Sequence, residues 1–168
     1  LSVKGAGFSG FGFIASSSAL QGPIEETDGY VTASINTEIF DENNSYDPTT
    51  FTYTVGKSGT HQFSANVNYE LDPEDTLPLI SGRIRNITTG QTLGTTAADP
   101  LEITGSFNIT SIPLNLSVND EVQLQVAYEQ GTGASALAIS ILSGSNFATL
   151  ETPINYEAGT IKIGEQFE

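Results

Sequence analysis

Apolar and polar residues alternate along much of this chain. Between Val31 and Ile39 the odd-numbered positions are Val, Ala, Ile, Thr and Ile, and the even-numbered positions are polar. The segment from His61 to Tyr69 repeats the pattern, with His, Phe, Ala, Val and Tyr alternating with Gln, Ser and Asn. Because successive side chains of a strand point to opposite faces, this period of two predicts half-buried strands in both segments.

Shorter alternations predict further strands, and no segment has the period of an amphipathic helix of three turns. The predicted strands are 51–55, 79–86, 101–109, 112–118, 122–128, 137–141 and 147–150. Turn-forming residues separate them at 41–45, 56–59, 71–78, 88–91, 119–121 and 130–135. About ten short strands with turns every eight to twelve residues predict an all-β fold, an antiparallel β-sandwich or jelly roll.

The 168 residues fit one domain with flanking segments. Residues 1–12 are predicted to be a Gly- and Phe-rich N-terminal arm. Their Gly5-x-Gly7-x-x-Gly10 spacing lacks the strand and helix that a dinucleotide site needs. Residues 13–150 form the predicted jelly-roll domain. Residues 151–168 are predicted to be a tail or hairpin that folds back on its own domain or adds a strand to a neighbouring subunit. A chain that begins at Leu1 suits a processed or trimmed form of an exported protein.

Composition excludes several partners. Twenty acidic residues against five basic ones give a net charge of −15, which repels nucleic acid. The acidity suits a solvated surface, with a divalent-cation role as the alternative. No apolar run is long enough to span a bilayer, so membrane insertion is not expected. Without Cys the chain has no disulfide and no thiolate ligand.

Candidate chemistry is sparse, and we predict no catalytic or cofactor-binding residue. His61, the only His, occupies a strand position typical of a core or interface ring. Asp72, Glu74 and Asp75 could supply a carboxylate pair for glycoside hydrolysis, although a solvated loop is the simpler interpretation. The same three residues are weak calcium candidates. With Asp41, Glu42 and Asp47 they offer hard oxygen ligands, but without the spacing of a known calcium loop.

Several motifs resemble those of the complement component 1q globular-head family, the TNF-like jelly roll, and we expect the bacterial or phage type of that family. The resemblance covers roughly residues 13–150 and rests on an Asn-rich turn before Tyr-Asp, a Phe-Thr pair, a Gly-x-x-x-Phe strand, a late Asp-x-Val and a final Phe. The matched positions are Tyr46, Asp47, Phe51, Thr52, Gly59, Phe63, Asp120, Val122 and Phe147. Three positions depart from the family pattern: His61 replaces Tyr, Asn119 replaces Gly, and Ala148-Thr149 replaces Ser-Gly.

The resemblance implies a homotrimer of ten-stranded jelly rolls that binds and displays rather than catalyses. It implies Tyr46, Phe51 and Phe63 as core residues and Gly59 as a turn. We expect a structural and recognition subunit displayed on a virion or fibre, in contact with neighbouring structural subunits and with a host receptor, either glycan or protein. The alternatives are a secreted bacterial surface or matrix fibre subunit assembled by strand exchange and, more distantly, a glycan hydrolase. The expected location is extracellular, on a virion or a cell surface.

Overall fold

The computed structural model describes residues 12–41, 43–71, 78–98, 103–130 and 138–151. Within these ranges the regular structure is β-strand apart from one short 3-10 turn, Glu26–Asp28. All strand pairs are antiparallel, and the strands form two sheets. The predicted antiparallel sandwich is therefore confirmed.

The strand bounds, in chain order, are β1 Phe13–Ser16, β2 Gln21–Glu25, β3 Val31–Thr32, β4 Thr37–Asp41, β5 Tyr46–Asp47, β6 Thr52–Thr54, β7 Gly59–Leu71, β8 Pro78–Asn86, β9 Thr92–Ala98, β10 Thr104–Thr110, β11 Leu114–Leu116, β12 Glu121–Gln130, β13 Ala138–Ile141 and β14 Asn146–Glu151. The eight-stranded sheet has the order β2-β13-β7-β14-β1-β4, with β10 and β11 on the other side of β7. The six-stranded sheet has the order β5-β6-β12-β8-β9, with β3 paired to β12.

Strand β7 is the central element of the eight-stranded sheet. It is 13 residues long and pairs with β14 and β13 along one edge and with β10 and β11 along the other. From His61 to Leu71 every odd-numbered side chain is buried, as the alternation predicted. The two remaining faces of the sandwich, one on each sheet, point outward.

Aromatic rings fill the space between the sheets at one end of the core. The rings of Phe13 and Tyr46 stack with centroids 4.6 Å apart, and Phe13 also stacks on Tyr53 at 4.9 Å. Phe147 meets Phe13 edge-on at 5.0 Å and lies 5.9 Å from Phe63. Such pairs stabilise a core by about 0.5–1.5 kcal/mol each beyond the area they bury. The cluster ties both sheets to the N-terminal strand.

Farther along the core, Gly82 of β8 lets the sheets approach closely. A Cβ at this position would lie 2.5 Å from Cε2 of Phe107 and 2.7 Å from Cδ1 of Ile109, both on β10 of the opposite sheet. The absence of a side chain at residue 82 makes room for Phe107.

The prediction of one strand over residues 31–39 is wrong. Val31 and Thr32 pair with β12 in the six-stranded sheet, whereas Thr37 to Asp41 pair with β1 in the eight-stranded sheet. Between them Ala33 and Ile35 are buried as the chain passes from one sheet to the other. The alternation continues through the segment that links the two sheets, because its two buried residues, Ala33 and Ile35, both fall on odd-numbered positions. The sequence pattern therefore could not reveal the change of sheet.

Three apolar residues placed on strand faces by the sequence lie elsewhere. Phe51, predicted to share a strand face with Tyr53, lies in the turn before β6 with φ 58° and is half-buried, so its implied core role is not observed. Ile112 and Val118 flank β11 and are 66% and 47% exposed. Strands β1, β2, β5 and β9 were not predicted, since they are very short or lack a clean alternation.

The predicted arm 1–12 falls outside the described residues except for Gly12, and the tail 151–168 falls outside them except for Glu151. The bounds proposed for the domain remain predictions. Among the described residues no helix is long and apolar enough to cross a membrane.

Candidate functional site

Four of the motif residues lie in the core. Phe63, Val122 and Phe147 are fully buried and Tyr46 is 3% exposed. The Tyr46 hydroxyl donates a hydrogen bond to the Ile35 carbonyl oxygen at 2.7 Å. Burial, and then the charge of Asp47, raise the pKa of Tyr46 far above its usual value. These residues shape the fold and present no reactive group to solvent.

Asp47 holds the turn that follows β5. Its Oδ1 accepts hydrogen bonds from the backbone amides of Thr49 at 2.7 Å and Thr50 at 3.4 Å. The hydrogen bond from Thr49, followed by those from Thr50, lowers the pKa of Asp47. Gly59, expected in the turn between strands, is the first residue of β7 and follows that turn. Both residues have local structural roles.

Asp120 connects two turns at one end of the six-stranded sheet. Its Oδ2 accepts hydrogen bonds from Nδ2 of Asn86 and from the backbone amide of Ser117, each at 3.0 Å. Asn86 is 1% exposed, and its Oδ1 accepts the backbone amides of Thr88 and Thr89 at 3.1 and 3.2 Å. Asn119 has φ 70°, the left-handed conformation that Gly would supply in the family pattern. The carboxylate is therefore structural.

The residues considered for catalysis or metal binding form no such site in the described part of the chain. His61 is 9% exposed, its Nε2 lies 3.0 Å from the Lys57 carbonyl oxygen, and its ring lies near the rings of Tyr53 and Phe63. Asp72, Glu74, Asp75 and Glu42 fall outside the described residues. Among the described residues no three His, Cys, Asp or Glu side chains are grouped to hold a metal ion. Calcium binding stays an untested prediction.

The outer face of the eight-stranded sheet carries two rows of uncharged residues, which we call the neutral face. Each row crosses the same five strands, in the order β4-β1-β14-β7-β10, through direct cross-strand pairs. The first row is Phe40, Ile14, Ala148, Ser64 and Thr110, and the second is Thr37, Ser16, Asn146, Asn66 and Asn108. A side-chain hydrogen bond of 2.9 Å joins Asn66 to Asn108.

The neutral face is most apolar at its β4–β1 end. Ile14 and Phe40 are paired across the strands and are 44% and 49% exposed. Ile39, next to them on the edge strand, is 63% exposed. Strand β4 carries Glu38 and Asp41 and strand β7 carries Glu70, and none of these three acidic residues belongs to the two rows. A solvent-exposed apolar end on a neutral surface suits contact with another protein surface.

Sequence analysis did not find this face. Each strand contributes only two residues to the face, and the five strands lie far apart in the sequence. Phe40 and Ile14 were given no surface role, because the alternation identifies which residues share a face without saying whether that face is covered. The absence of charge at the outward positions of β7 from Gln62 to Asn68 was the available signal.

Solved structures similar to this one share its fold. The globular domain of zebrafish complement 1qA protein matches with a TM-score of 0.56 and 14% identity, over 85% of this chain and 98% of that one. The crystal structure of murine APRIL matches with a TM-score of 0.55 and 11% identity, over 84% of this chain and 98% of that one. No protein-family model matches the sequence, and no curated protein matches it.

Together the two sheets, their strand order and these structures define a jelly roll of the complement 1q and TNF type. The resemblance stated from the sequence motifs is confirmed at the level of the fold.

Proposed function

We propose that this chain is a non-enzymatic structural and recognition subunit that associates into a homotrimer through its neutral face. The observation that carries the proposal is the exposed pair Ile14 and Phe40 at one end of the two uncharged rows of the neutral face. Closed symmetric association is the common way for soluble proteins to cover such a surface.

The negative charge of the chain favours association through the neutral face over association through an acidic surface. Three copies would carry three times −15, or −45, so association through an acidic surface would meet strong repulsion. The neutral face avoids that repulsion. Burying the exposed half of Phe40, roughly 100 Å² of apolar surface, would stabilise each contact by about 2.5 kcal/mol. Burying the exposed part of Ile14, roughly 80 Å², would add about 2 kcal/mol. These contributions repeat in each copy and support a stable oligomer.

Display on a virion or fibre, with contact to a host glycan or protein, is the second part of the proposal. It is supported by the fold, by the polar loops that such a sandwich presents at its ends, and by the absence of a catalytic constellation among the described residues. The bacterial or phage origin rests on the sequence resemblance. A secreted bacterial fibre subunit is the alternative, and deletion of residues 151–168 separates the two, because loss of assembly beyond the trimer would favour strand exchange.

Light scattering coupled to size exclusion tests the oligomer directly. The wild-type chain of 17.7 kDa is expected at three times that mass, about 53 kDa, at micromolar concentration. Ile14→Asp should shift the mass toward 17.7 kDa with an unchanged circular dichroism spectrum. Ile103→Asp is the matched control, because Ile103 is 49% exposed but lies outside the neutral face. A monomeric wild type, or equal behaviour of the two variants, would refute the proposal.

A further inference from the structure

The outer face of the six-stranded sheet, on the opposite side of the molecule from the neutral face, carries two adjacent arginines. Arg83 and Arg85 lie on β8, two residues apart, and pair across the sheet with Gln125 and Gln123 of β12. The chain has only five basic residues, so this pair concentrates much of its positive charge at one place. We call these four residues with Tyr30 the arginine platform.

Arg83 is held in one orientation. Its guanidinium carbon lies 3.7 Å from the centroid of the Tyr30 ring, and its Nε donates a hydrogen bond to Oε1 of Gln125 at 2.8 Å. Stacking on the ring and the hydrogen bond at Nε fix the plane of the guanidinium. Within the described part of the chain, no carboxylate forms an ion pair with Arg83 and no hydrogen bond is made by its two terminal nitrogens. These donors form a preoriented fork that remains accessible.

A chain of hydrogen bonds sets the orientation of Gln125. Its Nε2 donates to Oε1 of Gln123 at 3.3 Å, and that oxygen also accepts the Thr32 hydroxyl at 3.0 Å. Gln123 in turn donates to the Thr52 hydroxyl at 2.9 Å. Because the Nε2 group of Gln125 is used as a donor to Gln123, its Oε1 atom is the one that faces Arg83 and accepts the hydrogen bond from Nε. The network spans β3, β6 and β12, so the secondary structure holds the fork in place.

Arg85 adds a second positive charge without an acidic partner among the described residues. Burial, and then the charge of Arg85, lower the pKa of Arg83. One of the Arg85 terminal nitrogens lies near the turn at Gly90, where an added Cβ would be 3.6 Å away. Two neighbouring guanidinium groups repel each other, and an anion placed between them would relieve the repulsion.

We propose that the arginine platform binds a saccharide that carries a single carboxylate, of the uronic or sialic acid type. The guanidinium fork of Arg83 matches a carboxylate in a two-point contact. The second amide N–H of Gln123 and of Gln125, and the acceptor lone pairs of the Thr32 hydroxyl, can hydrogen-bond sugar hydroxyls without breaking the network. The net charge of −15 repels a long polyanion but tolerates one carboxylate in direct contact with two arginines.

The site rests on the proposed function in one respect. Association through the neutral face would leave the opposite sheet free, and three copies would offer three equivalent platforms. A weak single site would then gain apparent affinity for a glycan-coated surface through multivalency.

Titration followed by ¹H–¹⁵N NMR tests the platform with three probes: sodium D-glucuronate, N-acetylneuraminate and neutral glucose. We expect at least one acidic sugar to bind with a Kd of about 1 mM and to shift resonances of β8 and β12, with glucose giving no saturable shift. Arg83→Ala should weaken binding at least about tenfold, and Arg83→Lys nearly as much, because a lysine keeps the charge and loses the fork. The two acids together distinguish a uronate from a sialate ligand.

Lys57→Ala is the control, because it removes one positive charge from the turn before β7 and leaves the platform intact. The proposal fails if neither acidic sugar binds the wild type, if glucose binds equally well, or if Arg83→Ala binds unchanged. It also fails if a sulfated polysaccharide binds more tightly with the same dependence on Arg83, which would indicate a general polyanion site.

The same samples analysed by light scattering separate the two proposals. A trimer that does not bind the acidic sugars refutes only the proposed binding site at the arginine platform. A monomer that binds them through Arg83 refutes only the proposed association through the neutral face.

Discussion

Replacing Asp120 by Ala tests whether the connection between the two turns is a main source of stability. The side chain is 8% exposed, and its Oδ2 accepts hydrogen bonds from Asn86 and Ser117, both at 3.0 Å. Alanine would leave the Asn86 amide, which is 1% exposed, and the Ser117 N–H without this acceptor. Asp120→Asn retains an oxygen that can occupy the same position and accept both hydrogen bonds.

Each lost hydrogen bond to a charged acceptor is worth about 1.5–3 kcal/mol, and part of that is recovered because a carboxylate is no longer desolvated. We therefore expect Asp120→Ala to lower the free energy of unfolding by about 3 kcal/mol. For a chain of this size the melting temperature should fall by about 6–12 °C. Asp120→Asn should lose only about 1 kcal/mol, because the geometry is preserved while the charge is removed.

Urea unfolding monitored by circular dichroism, at one fixed protein concentration so that association contributes equally, provides the measurement. Glu121→Ala is the matched control: it removes the neighbouring, exposed carboxylate and should change stability by less than about 0.5 kcal/mol. If Asp120→Ala matched the wild type, or if Asp120→Asn lost as much as Asp120→Ala, the hydrogen bonds assigned to Oδ2 would not be the source of the stability.

Three further predictions concern single positions. Gly82→Ala should destabilise the fold by about 1–3 kcal/mol, because its Cβ would meet Phe107, and combining it with Phe107→Leu should recover part of the loss in thermal melting. Asp47 has a lowered pKa in the folded state, so its contribution to stability is present above the unfolded pKa of about 4 and is lost as the pH falls through the folded pKa. Between pH 7 and pH 3 the melting temperature of Asp47→Asn should therefore fall less than that of the wild type. An equal fall in the two proteins would contradict this. Because Asn119 has a φ of 70°, Asn119→Ala should lower the free energy of unfolding, measured by urea titration, by about 1 kcal/mol, and Asn119→Gly should lower it much less. Equal effects of the two substitutions would argue against strain in the left-handed conformation.

The sequence predicted the fold class because the physical signal was local. In β7 the period of two marks the buried side of a 13-residue strand, and the turn at Asn119 is marked by a residue that tolerates a positive φ. Tyr46 and Phe63, which the resemblance implied as core residues, are buried. Residues 72–77 and 131–137, and the terminal segments, lie outside the described residues, so the predictions made for them stand as predictions.

The sequence failed where position depends on which sheet a segment joins. Residues 31–39 alternate without interruption, yet the chain leaves the six-stranded sheet after Thr32 and enters the other at Thr37. Phe51 is of a residue type that favours strands, yet it lies in a turn with φ 58°. Both outcomes are set by pairing partners that lie far away in sequence, and neither appears in a local pattern.

The sequence by itself determined an acidic antiparallel sandwich with aromatic core residues, because strand periodicity, turn chemistry and net charge are properties of neighbouring residues or of the whole composition. Only the tertiary structure decided the two outer faces. The neutral face joins residues from five strands, and the arginine platform joins β8 to β12 and Tyr30. Surfaces of this kind depend on the lateral order of the strands, which long-range hydrogen bonds and core packing establish when the chain folds.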